Sequence, residues 1–109
     1  MNFKRILKRI LNLKPGQSFY PFKGHRLPKI YRPKTGKKIH VRIRDPHRFE
    51  KFRVVDPGRE GHSEFRYAYD EDTNRWVIQS WLFDLNDLKR NKKTQKILYN
   101  ILKEVRDRL

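Results

Sequence analysis

Residues 65–83 read FRYAYDEDTNRWVIQSWLF, and the fold turns on how that stretch is parsed. Phe65, Tyr67 and Tyr69 alternate with Arg66 and Ala68, the period-two pattern of a strand with one buried face. The acids and amide of 70–74 are turn formers, because their short polar side chains bond back to nearby backbone. Residues 75–83 follow as a strand that is apolar on both faces, which suits the inside of a sheet. An antiparallel hairpin is the expected centre of the fold.

Upstream, Ile39-His40-Val41-Arg42-Ile43-Arg44 alternates strictly and predicts a half-buried strand, ended by Asp45-Pro46. Residues 46–51 can make one helical turn with Asp45 as N-cap, and 52–56 predict a further strand closed by Pro57-Gly58. Short connections favour pairing of successive strands, giving about four antiparallel strands. Downstream, Asp84 or Asn86 can cap a short helix and Asn91 or Thr94 a longer one. Ile97, Leu98, Ile101, Leu102, Val105 and Leu109 then make one helical stripe, with Lys103, Arg106 and Arg108 near the negative end of the helix dipole. The expected class is α+β, a small antiparallel sheet packed by a C-terminal helix, in one domain spanning 38–109. Of the sheet aromatics, Trp76 and Trp81 stand five residues apart and are expected on opposite faces. If Trp76 shares the side of Ile78 and Leu82 it is core, and Trp81 is then the better candidate for exposure; the sheet aromatics can serve either as core or as a stacking platform.

The 109 residues include 28 Lys plus Arg against 12 Asp plus Glu, a formal charge of +16, and no cysteine. No apolar run approaches the roughly 18 residues of a membrane-spanning helix. Lack of cysteine removes disulfides, thiolate metal sites and a Cys nucleophile. No metal or cofactor is expected, and the expected setting is reducing, either cytoplasmic or virion-associated. The charge is concentrated: residues 1–44 hold 14 cations and no acid. They are Lys4, Arg5, Lys8, Arg9, Lys14, Lys23, Arg26, Lys29, Arg32, Lys34, Lys37, Lys38, Arg42 and Arg44. A surface tuned for solubility alone intersperses both signs, and self-repulsion on this scale opposes compaction unless a partner supplies negative charge. Nucleic acid, DNA or RNA, is the partner expected, with these cations on its phosphates.

Residues 1–37 divide in two. In 2–13, Phe3, Ile6, Leu7, Ile10 and Leu11 recur at helical spacing with Lys4, Arg5, Lys8 and Arg9 opposite, and Pro15-Gly16 stops the helix. Such a basic amphipathic helix can dock on the body, lie on an anionic membrane surface, serve as a targeting presequence, or bind a partner protein. In 14–37, four prolines and three glycines interrupt regular structure, and Phe19, Tyr20, Phe22 and Tyr31 are interleaved with cations. An extended basic arm is expected, reaching on the order of 70 Å at about 3.1 Å per residue. Its cations would follow a phosphate backbone, and Tyr20 and Tyr31 would stack on unpaired bases. Deleting 1–37 is expected to leave the body folded.

For catalysis the candidates are few. His25, His40, His47 and His62 match no compact zinc spacing. A metal-dependent nuclease could use Asp56 and Glu64, although Arg66 stands where such an enzyme wants Lys. A metal-independent ribonuclease could use His62, Arg66 and Tyr67, or His40 with Arg42. The first expectation is nevertheless a non-enzymatic binder with no catalytic residue, such as a structural component of a viral or ribonucleoprotein particle. A small nuclease, and a virion-assembly or membrane-surface protein, are the alternatives. The first helix, a homo-oligomer or protein assembly partner, or bound nucleic acid would complete so small a core.

His40-Val-Arg-Ile-Arg-Asp-Pro46, Phe49, Phe52-Arg-Val54 and Ile78-Gln-Ser-Trp-Leu-Phe-Asp84 together resemble a short domain of uncharacterised phage and mobile-element proteins. The resemblance spans residues 40–84 and implies a viral or mobile-element setting. It assigns no activity and no functional residue.

Overall fold

A computed structural model describes residues 1–45, 51–55 and 63–109. In chain order the elements are α1 (Phe3–Leu11), β1 (Ser18–Phe19), β2 (Lys29–Tyr31), β3 (Lys38–Arg42), β4 (Phe52–Val55), β5 (Ser63–Asp70), β6 (Arg75–Asp84), α2 (Leu85–Arg90) and α3 (Lys92–Arg108). The α+β class holds, but the sheet has six antiparallel strands, in the order β1-β2-β3-β6-β5-β4, where about four were expected. The expected turn at 46–51 and the loop after 55 lie outside the described residues, as do His47, Asp56 and His62.

Two of the strands come from the segment read as an extended arm. Proline and glycine limit how long a strand can run there; they do not forbid one of two or three residues. Phe19 pairs with Ile30 and Ile30 with Val41, and all three side chains are buried. Gly16, at φ +87°, makes the turn into β1, and its N–H donates to the Arg32 carbonyl at 2.8 Å. Arg32 closes the loop by donating from its guanidinium to the Leu13 carbonyl at 3.0 Å.

The pairing is also not sequential. β3 lies against β6, with Ile39 opposite Phe83 and Val41 opposite Trp81. β6 runs ten residues and buries Gln79, Ser80, Leu82 and Phe83, so both its faces are used and it belongs inside the sheet. Short β4, with Val54 60% exposed, is fit only for the edge.

A bulge in β6 changes the parity of its side chains. Arg66 faces Ser80 while Tyr67 faces Ile78, which leaves Gln79 as the extra residue. Its carbonyl accepts from Ile43 N (2.9 Å) and Arg44 N (3.3 Å), and its side-chain amide donates to the Arg44 carbonyl at 3.2 Å. Trp81 beside Phe65 and Trp76 beside Tyr69 therefore share the face that the helices cover in part. The expectation for the two tryptophans is reversed. Trp81 packs against the core, whereas Trp76 is 38% exposed at the hairpin end, beyond the helices.

The helices lie on one side of the sheet. Asp84 caps α2, accepting from Asn86 N and Asp87 N at 2.9 and 3.2 Å. Asn91 caps α3, accepting from Lys93 N and Thr94 N at 2.9 and 3.4 Å. α1 takes the first of its expected uses, for its stripe docks on the body: Ile10 is fully buried, and Phe3 meets Tyr99 edge-on at 5.4 Å. One buried cluster runs from Ile10, Phe19 and Ile30 through Ile39, Val41 and Phe83 to Leu98, Leu102 and Val105.

Because that cluster crosses position 37, deletion of 1–37 is now expected to abolish cooperative unfolding, not to leave a folded body. Ile10→Ala in the full chain should cost about 2–5 kcal/mol by removing a buried side chain from a packed site. Denaturant melts followed by circular dichroism measure both effects.

Candidate nucleic-acid interface on the open sheet face

The side of the sheet away from the helices is built by strand alternation alone. Register places Lys29, Arg42, Ser80, Arg66 and Val54 in one cross-strand row, and Tyr31, His40, Leu82 and Glu64 in the next. Side chains two apart on a strand share a face, so both rows look outward together with Lys38. Among the described residues, the two rows and Lys38 bring together four cations, one imidazole and one carboxylate, Asp84 opposite Lys38 being taken up in capping α2. The carboxylate of the rows, Glu64, accepts from Lys38 Nζ at 2.6 Å.

Aromatic faces hold the cations in position. The Arg42 guanidinium lies 5.2 Å from the centre of the Tyr31 ring, the Lys29 ammonium 5.8 Å from the same ring, and Arg66 4.3 Å from Phe52. Tyr31 Oη and His40 Nδ1 are hydrogen-bonded at 3.1 Å, their ring centres 4.8 Å apart. His40 has its pKa pushed down to about 4, first by burial and then by repulsion from Arg66, Lys38 and Arg42, with Glu64 opposing. Beneath these side chains, Ser80 Oγ and Arg42 Nε are buried without a hydrogen-bond partner. Orphaned polar atoms under a cationic surface are what an oxyanion would satisfy.

A second basic site lies on the helix side. Arg5, Arg9, Lys23 and Arg106 surround a pocket of about 650 Å³ with Phe19, Tyr20 and Phe22 in its wall. The Arg9 guanidinium sits 4.3 Å over Phe19, and Tyr20 is 48% exposed. At the far corner of that side, Arg53 lies 5.5 Å from the Tyr67 ring and 4.8 Å from that of Trp76, and Lys51 5.6 Å from Tyr69.

The expected contact residues therefore separate. Lys29, Tyr31, Lys38 and Arg42 meet on the open face, and Arg5, Arg9, Tyr20 and Lys23 at the pocket. Lys4 and Lys8 face outward on α1, and Lys14, Arg26, Lys34 and Lys37 are exposed on the loops. Arg44 donates to the Ile78 carbonyl at 3.2 Å, and Arg32 is a structural brace. Tyr31 is engaged by His40 and Arg42, so it is not the loose stacking ring expected of an arm. Arg66 and Ser80 were not among the expected contacts. Their alternation on β5 and β6 is visible in the sequence, but the bulge and the β3–β6 pairing that bring them to Arg42 are not.

No family model matches the chain, nor does any curated protein or solved structure. Among the described residues no helix is long and apolar enough to cross a membrane, and no three His, Asp or Glu side chains gather as a metal site requires.

His40 gives this face a signature in stability. Its folded-state pKa of about 4 lies below the ordinary 6.5, so the unfolded chain binds the extra proton between those values. The stability tied to neutral His40 is complete above pH 6.5 and drains as pH falls toward 4. Chemical melts at pH 7.5 and 5 should show a larger loss for the parent than for His40→Asn. Equal losses would mean that the imidazole is not held neutral by its surroundings.

Proposed function

We propose that this chain binds nucleic acid, with the open sheet face as its main phosphate contact and the cations of α1 and the neighbouring pocket as a second. The observation that carries the reading is the Lys29–Arg42–Ser80–Arg66 row, whose buried Arg42 Nε and Ser80 Oγ lack partners. A phosphate on this row would offset the mutual repulsion of the cations around it, and the two orphaned atoms would reach its oxygens once the side chains above them part. The acid-free residues 1–44 add a field that draws a polyanion from any direction. Such contacts position a strand without reading its bases, so weak sequence preference is expected. The same charge excess suits a partner present in bulk, as in a packaged genome or ribonucleoprotein. A membrane-surface role is less well supported, since the apolar stripe of α1 is spent on the core.

Fluorescence anisotropy with single-stranded and duplex probes tests this across salt concentrations. Seven engaged cations on duplex predict a slope of log K against log salt near −6, at about −0.9 per phosphate contact. Lys29→Ala and Arg66→Ala should each flatten the slope by about 0.7 on a single strand and weaken all sequences alike. A parental slope shallower than about −2 would reduce the basic face to a solvated surface.

A further inference from the structure

We propose that the His40 cluster cleaves RNA without a metal, His40 carrying a proton from the ribose 2′-hydroxyl to the leaving 5′-oxygen while Arg42 and Arg66 hold the phosphate. The inference rests on the binding reading and adds a substrate to it, because only RNA carries the 2′-hydroxyl.

The geometry supplies each part. Tyr31 occupies His40 Nδ1, which leaves Nε2 for a substrate. In the tautomer whose Nδ1–H donates to Tyr31 Oη, Nε2 is a bare base with its ring fixed from behind, and Tyr31 is itself held by Arg42 and Lys29. Arg42 and Arg66 stand on either side of Ser80 in the adjacent row, their Cα atoms about 10 Å apart by two strand spacings. Each guanidinium lies against an aromatic ring, which leaves its in-plane N–H groups for the non-bridging oxygens of a phosphate. Those donors would stabilise the extra negative charge that the phosphorane develops.

The step balances. Nε2 accepts the 2′-hydroxyl proton as the O2′–P bond forms. The P–O5′ bond breaks, and Nε2 returns that proton to O5′. A 2′,3′-cyclic phosphate and a 5′-hydroxyl result, and neither water nor metal is consumed. Among the described residues, the groups facing His40 are Tyr31 from β2, Lys38 and Arg42 from β3, and Glu64 and Arg66 from β5; β6 contributes Ser80 and Leu82, which do not titrate. The cations keep the imidazole neutral, hence a base, throughout the neutral range. A bound phosphate screens them and makes that base stronger when the substrate is in place.

The test gives the full chain a single-stranded RNA and the DNA of the same sequence, in excess EDTA. Both should bind, and only the RNA should be cut, leaving cyclic phosphate ends. His40→Asn, prepared identically and checked for its fold, should lose about a hundredfold or more in single-turnover cleavage at saturating RNA, where any change in affinity drops out. Tyr31→Phe keeps the ring against Arg42 but drops the Nδ1 partner, and should lower kcat with KM unchanged. The parent's kcat/KM should be flat through neutral pH and fall only as the pH approaches 4. If the parent binds both strands and leaves RNA intact, or cuts only with a divalent metal, or if His40→Asn cuts as fast, the proposal is overturned while the binding reading stands. If neither strand binds, the binding reading falls and takes this one with it. Should His40→Asn fail to fold, the Tyr31→Phe split and the pH profile decide in its place.

Discussion

The pairing of β6 between β3 and β5 is the constraint on which the rest of the molecule depends. It sets Ile39 and Val41 against Phe83 and Trp81 on the side that the helices cover. On the other side it sets Arg42 and Arg66 on the two strands that flank Ser80. A slip of one residue would exchange the two faces, burying charge and exposing the core. The Gln79 bulge makes two different registers compatible. It keeps Trp81 in the core and carries Trp76 onto the same face further out, where Arg53 and Tyr69 meet it.

With acids scarce, aromatic rings take the part that carboxylates play in a more balanced protein. Seven cation–ring contacts, made by six cations, occur among the described residues. A ring fixes a guanidinium without neutralising it, so the position is ordered and the charge stays available to a ligand. His40 registers the result. Amid uncompensated cations it stays uncharged, and the open face becomes a place where positive charge is dense and proton affinity is low.

Much of this was legible along the chain. Alternation gave β3 and β5, an apolar run gave β6, helical spacing gave α1 and α3, and Asp84 and Asn91 were among the caps foreseen. What escaped has physical reasons. β1 and β2 are two and three residues long, shorter than any window in which a period shows. The β3–β6 pairing joins segments more than thirty residues apart, and no local preference encodes it. A bulge reverses side-chain parity without leaving a mark in composition, which is why Trp76 and Trp81 were exchanged. For the site, His40 and Arg42 were visible as a pair, and Arg66 as a candidate in a different grouping. That all three share a face with Tyr31 needed the sheet.

The acid-free stretch is woven into the fold: β1, β2, β3 and α1 all belong to it, and folding gathers those cations around one core. The repulsion this creates is a standing load on the native state, carried by a small apolar cluster. Any polyanion that binds the folded surface lifts that load and adds its own binding free energy, which by mass action raises the melting point with the ligand's concentration. A nucleic-acid strand bound there would then also act as its chaperone. A cell or particle rich in nucleic acid would hold more of the chain folded than dilute buffer does, and stripping the strand away would loosen the sheet itself.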